Sequence, residues 1–423
     1  MQHIALKGAH SSPTNLPVVN QLSHSVSSRK YIQLASIALC LTLSLSFGTD
    51  ALANQRDVYK RIYDRLAGVP PTPAVMEEMV TDTTVEKAAE KAMENPNFYN
   101  VTLKNFATPW TNEAQSVFEP LNDYSATIIG MIRDNKDFRQ ILSGNIIYIG
   151  SLTPAYANDS NQHYVEIEKQ NIDLSDPAKL FERTQTEITG LSAEATAGVM
   201  TTRAASRAFF VDGTNRAMFR FTLLNHLCYD LEQLKDNTRT ADRIRQDVSR
   251  SPGGDSRLFF ANCLACHAGM DPMAQAFAYY EWDYKDNNPN TEDDPDSGRL
   301  VYTPGTVQPK YHINATNFKG GYITPDDSWS NYWRRGPNAW LGWADNATPA
   351  VKNGKGAKSL GEELANSDAF ARCQVKKVFK TVCLRSPDDR SGESTEFNSM
   401  VSAFKSDYNM KNVFSRAAIY CSQ

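Results

Sequence analysis

Apolar positions recur three and four residues apart along much of the chain, the spacing of helices with one buried face. Val58, Ile62 and Leu66 mark a first helix, ended by Gly68 and Pro70-Pro71. Thr72-Pro73 starts a second through Met76 and Met79, a capping residue followed by proline at the first helical position. The Ala-, Glu- and Lys-rich run from Val85 to Met93 gives a third, closed by Asn95-Pro96. Ala126 to Leu142 reads as a fourth, with Ile128, Ile129, Met131 and Ile132 at buried spacing, and Asn145 to Gly150 as a short strand. Residues 151–190 are polar and weakly periodic, which predicts a long connection. The helical pattern resumes at Ala193 and carries an apolar series through Phe221, Leu223, Leu224 and Leu227. Asp255 is placed to cap a short helix from Arg257 to Cys263. Residues 285–355 are rich in Asn, Asp, Gly and Pro and read as a loop-rich insertion, ordered by Trp329, Trp333, Trp340 and Trp343. Two helices close the chain, Phe370 to Cys383 and Met410 to Cys421. The expected fold is mainly α, with a helical N-terminal region over 54–190 and a second region over 191–423 that holds the insertion.

The first 53 residues break this pattern. A Ser-rich stretch without acid ends in Arg29-Lys30, a short apolar run from Tyr31 to Phe47 follows, and Ala51-Leu52-Ala53 gives an A-x-A cleavage site. Together these read as a secretory signal peptide over 1–53. The run is broken by Ser, Thr and Gln and is shorter than the ~20 apolar residues of a membrane span. Cys40 follows Leu39 rather than a small residue, which argues against lipid attachment there. No later stretch is long enough to span a membrane, so the expected product is periplasmic or secreted.

Charge changes the picture only modestly. The 423 residues hold 44 Lys+Arg against 48 Asp+Glu, a formal net charge of -4. Without the leader, 41 basic and 47 acidic side chains remain, a net of -6, with six Cys and four His (His163, His226, His267 and His312). A nucleic-acid binder would show a basic excess, and none exists. Asp286 to Asp296 has the composition of a calcium loop but lacks the Gly at its sixth position and the Glu at its twelfth.

The chemistry is carried by Cys263-Leu264-Ala265-Cys266-His267, the C-x-x-C-H attachment pattern of c-type haem. Two thiols one helical turn apart reach the two vinyl groups on one porphyrin edge and become thioethers. The adjacent His267 then turns its imidazole under the ring and ligates iron. Zinc would need four ligands, and no second C-x-x-C supplies them. A thioredoxin-like dithiol would follow a strand, whereas the flanks here are helical. A disulfide within the pair is strained at this spacing in a helix. Haem attachment also requires export, which the leader provides independently. The expectation is one covalent haem c, with its iron on His267.

The second axial position stays open. Met270 lies on the same helical face as His267, and Met273 follows Asp271-Pro272, read as the cap and start of another helix. His312 sits 45 residues downstream in the insertion and heads the candidates, beside a methionine such as Met400 or Met410, His226, His163, or an open iron. Arg203, Arg207, Arg216 and Arg220 are read as a solvated or salt-bridged helix face in preference to partners of haem propionates. Cys228, Cys373, Cys383 and Cys421 remain for two disulfides. Cys373 and Cys383 share one expected helix, about 15 Å apart at 1.5 Å per residue, so each pairs elsewhere. The preferred pairing is Cys383–Cys421 with Cys228–Cys373.

The run Cys263 to Pro272 (C-L-A-C-H-A-G-M-D-P), followed by an Ala- and aromatic-rich segment, resembles the planctomycete-type cytochrome c family. Similar wording recurs at Arg65 to Thr72, at Thr202-Arg203 to Cys228, and from Phe370-Ala371-Arg372-Cys373 to Leu384-Arg385. The resemblance implies a cytochrome c-like haem domain, haem binding by Cys263, Cys266 and His267, and a redox role without an assigned substrate. The expected function is single-electron transfer with a partner redox protein. The alternative is a peroxidase- or oxygenase-like haem enzyme with an open iron. A di-haem peroxidase is excluded because a second C-x-x-C-H is missing.

Overall fold

The computed structural model describes residues 55–81, 84–284, 298–313, 318–344, 351–388 and 392–423. The leader and the Asp286–Asp296 loop lie outside them. Helix α1 (55–67) buries Ile62, Leu66 and Ala67 and stops at Gly68, whose φ of +70° most other residues would resist. α2 (Pro73–Thr81) begins where Thr72 Oγ1 accepts from Val75 N at 3.3 Å, and α3 (Val85–Met93) buries Ala88, Ala89, Ala92 and Met93. After the short α4 (Lys104–Ala107), α5 (Asp123–Arg133) is buried along its whole length. The helix expected to run on to Leu142 breaks after Arg133. Asn135 adopts a φ of +53°, and the Asp137 side chain caps a separate 3₁₀ turn, Phe138–Leu142.

The segment 151–190 is not the plain connection its polarity suggested. β2 (Leu180–Arg183) pairs antiparallel with β1 (Ile147–Gly150), from Ile147 opposite Arg183 to Gly150 opposite Leu180. Around this hairpin lie α6 (Gln162–Lys169) and α7 (Gln185–Thr189), the latter opened by a reciprocal Thr184–Glu187 cap. Each piece is too short to display a period, and each buries only a few residues, such as His163, Tyr164 and Ile167 in α6.

The next apolar series also divides, into α8 (Arg203–Phe209) and α9 (Arg216–Thr222), the second continuing as a π-turn, Leu223–Leu227. α10 (Ser256–Asn262) and α11 (Leu264–Ala274) follow. Two further antiparallel strand pairs follow: β3 (Tyr280–Tyr284), just before the insertion, with β4 (Gly298–Tyr302), and within the insertion β5 (Ser328–Asn331) with β6 (Lys352–Lys355). Trp329, Trp333 and Trp343 are buried under it, whereas Trp340 is 53 % exposed. α12 (Gly356–Ala365), α13 (Asp368–Cys383), α14 (Glu393–Asp407) and α15 (Met410–Ser422) complete a mainly α fold.

From residue 55 onward the chain is one compact unit with one main core. Phe414 of α15 lies edge-on to Phe98 and Phe106, with ring centroids 5.2 and 5.4 Å apart. Asp123 of α5 accepts from Arg203 N and Ala204 N at 2.5 and 3.0 Å and so caps α8. Gly361 of α12 runs so close to Leu142 that a Cβ there would strike its carbonyl oxygen. The disulfides Cys228–Cys373 and Cys383–Cys421, with Cα separations of 5.2 and 5.6 Å, fasten α13 to the end of the π-turn and to α15. This is the preferred pairing from the sequence.

Candidate functional site around Cys263, Cys266 and His267

Asp255 accepts from Arg257 N at 2.9 Å and opens α10, as its position suggested. Cys263 is the joint at which α10 ends and α11 starts. Its carbonyl accepts from Cys266 N at 3.2 Å and His267 N at 3.1 Å, so the motif occupies the first turn of α11. Cys263 and Cys266 are free thiols, half-buried, while the other four described cysteines are in disulfides. The Cys266 thiol donates to Leu231 O at 3.7 Å, and burial pushes its pKa up. A small apolar cluster of Ile244, Val248, Phe259 and Ala268, separate from the main core, supports Cys263 and Leu264. Beside it, Leu258 and Phe260 of α10 are left 45 % and 63 % exposed.

His267 is oriented from behind. Its Nδ1 lies 3.1 Å from both carboxylate oxygens of Asp271, one turn further along α11 and fully buried. Arg216 grips that carboxylate with Nε at 2.8 Å and Nη2 at 3.2 Å, and holds Asp247 at 2.7 and 3.0 Å. Arg245, also buried, stands with Nη2 3.6 Å from Asp271 Oδ1 and is anchored on Thr214 Oγ1 at 2.7 Å. Burial alone would raise the Asp271 pKa. Arg216, Arg245 and His267 outweigh it and hold the carboxyl well below the usual range. An ionised carboxylate only accepts, so His267 Nδ1 carries a proton toward it, and Nε2 is the nitrogen on the side away from Asp271.

This arrangement corrects two expectations. Asp271-Pro272 does not start a new helix; α11 runs through both residues, and Asp271 serves His267 instead of capping. Proline 272 forfeits one backbone hydrogen bond near the end of the helix. The arginines do not form one face either. Arg216 points inward to Asp271 and Asp247, Arg220 pairs with Asp230 at 2.6 Å, and Arg203 is buried with its guanidinium 5.7 Å from the Trp282 ring. Salt bridges engage Arg216 and Arg220, as preferred.

The other candidate ligands are dispersed. His163 uses both ring nitrogens, Nδ1 toward Pro154 O at 2.8 Å and Nε2 accepting from Gly150 N at 2.9 Å. His226 is buried against Tyr124, whose hydroxyl is 2.8 Å from Nε2. Met270, Met273, Met400 and Met410 are all in the main core. His312 is exposed and follows Tyr311, whose hydroxyl donates to Ala274 O at the far end of α11, two turns from His267. Asp271, Asp247 and Arg245 were missed from sequence. The i,i+4 spacing of His267 and Asp271 was the available signal.

The donor set fits a porphyrin iron. Two unpaired thiols and an imidazole tied through Nδ1 share one helical turn, and the preceding helix carries exposed apolar side chains. No family model, curated protein or solved structure matches the chain.

Proposed function

We propose that this chain is an exported c-type cytochrome with one covalent haem, which passes single electrons to or from a partner redox protein. The observation that carries this reading is the pairing of the free Cys263 and Cys266 thiols with a His267 whose Nδ1 is tied to Asp271. Each thiol S–H would add across a vinyl double bond, sulfur to one carbon and hydrogen to the other. His267 would offer Nε2 to iron, and Leu258 and Phe260 would shield the attached edge from water. The bound haem would supply a one-electron Fe(III)/Fe(II) couple. The resemblance of Cys263 to Pro272 to the planctomycete-type cytochrome c family supports the same reading.

A second reading is a haem enzyme with an open iron position. The carboxylate behind His267 favours it, because such a partner raises the basicity of a metal-bound imidazole. Carbon monoxide separates the two. A carrier with both axial positions filled gives a reversible one-electron titration and an unchanged reduced spectrum under carbon monoxide. Prompt carbon monoxide binding would overturn the carrier in favour of the enzyme.

A further inference from the structure

We propose that Asp271 is a positioning residue that lowers the reduction potential of the haem through His267. The inference rests on the haem reading above. The carboxylate accepts from Nδ1–H at 3.1 Å with both oxygens and is itself fully buried. Drawing on that proton enriches Nε2 in negative charge, which favours ferric over ferrous iron. Arg216 and Arg245 give the device its set point. They keep Asp271 ionised. Arg216 donates to the same carboxylate at 2.8 and 3.2 Å and so competes with His267 for its lone pairs, which makes the pull on the imidazole proton partial, while Arg245 stands 3.6 Å away. Asp247 in turn takes up part of Arg216 through two bonds of 2.7 and 3.0 Å. The potential is thereby controlled by a chain of four side chains behind the ligand.

Two substitutions act on this chain in opposite directions. Asp271→Asn removes the anionic acceptor and raises the midpoint potential, by at least about tenfold in the redox equilibrium, which is ~59 mV for one electron. Arg216→Gln frees the carboxylate for His267 and lowers the potential. A merely structural role would loosen the site in both variants and would not split their signs. The test is spectroelectrochemical titration of the wild-type and both variant holoproteins, after a pyridine haemochrome assay has scored covalent haem in each. A wild type without covalent haem defeats the underlying reading before any potential is measured. Haem-loaded Asp271→Asn with an unchanged or lower potential overturns the role of Asp271 alone. Should that variant fail to fold, Arg216→Gln carries the test, and a potential that stays or rises overturns the inference.

Discussion

His163 and His226 are both buried, and burial pushes both below the usual histidine pKa, slightly opposed at His163 by its bond to Pro154 and reinforced at His226 by Lys377. A lowered folded pKa means that the unfolded chain binds the proton first, near pH 6.5. The stability these histidines contribute is therefore complete above that pH and is lost as pH falls through it, by up to about 1.4 kcal/mol per pH unit for each. Urea unfolding at pH 7.5 and 5.5 should show this decline, and it should be shallower in His226→Gln; equal slopes would contradict the assignment. Sequence alone left these two histidines in the ligand set, because a hydrogen bond to a carbonyl or a tyrosine leaves no mark in spacing. The His267–Asp271 pair was legible as an i,i+4 contact, but Asp-Pro reads as a helix start, and that local signal hid it.

At the scale of elements, Gly269 lets α11 lie directly on Trp333, where a Cβ would collide with the indole. Gly269→Ala should cost about 1–3 kcal/mol by overpacking, measured by thermal or urea unfolding. A neutral result would mean that the helix is free to shift. The Cys383–Cys421 bridge spans 38 residues, and removing it as Cys383→Ala/Cys421→Ala should cost about 4 kcal/mol on the loop-entropy account. Ten residues of helix between Cys373 and Cys383 ruled out a bridge between those two, but the choice between the two remaining pairings was a preference that spacing did not decide. Long helices with capping residues and a clear period, such as α3, α13 and α15, were legible to within a residue or two. α6, α7, β2 and the later strand pairs were not, since short segments with few buried side chains leave no periodic record, whereas β1 falls within the strand expected over Asn145 to Gly150. α12 and α14 also escaped notice, their apolar positions being small or widely spaced.

Across the whole molecule, the N-terminal helices and the last four helices share one core. Phe138 N donates to Tyr408 O at 3.1 Å, Lys411 Nζ to Arg133 O at 2.6 Å, and Arg61 Nε to Ser422 O at 2.8 Å. A fragment of residues 191–423 should therefore lose cooperative unfolding and bind hydrophobic dyes, whereas a sharp transition would show that it folds alone. The mainly α class followed from the pattern of the sequence; the joining of the two ends did not, because contacts hundreds of residues apart have no local signature. Among the described residues no helix is long and apolar enough to cross a membrane.

The claim on which all this turns is that Cys263 and Cys266 hold a haem. A pyridine haemochrome spectrum of the protein produced in cells that mature c-type cytochromes, taken after acid–acetone extraction, tests it most directly. One haem per chain should survive extraction with the band position of two saturated vinyl groups, and Cys263→Ala/Cys266→Ala should abolish it. Extractable haem, or haem-free protein with two titratable thiols after export by cells that mature c-type cytochromes, would contradict the account.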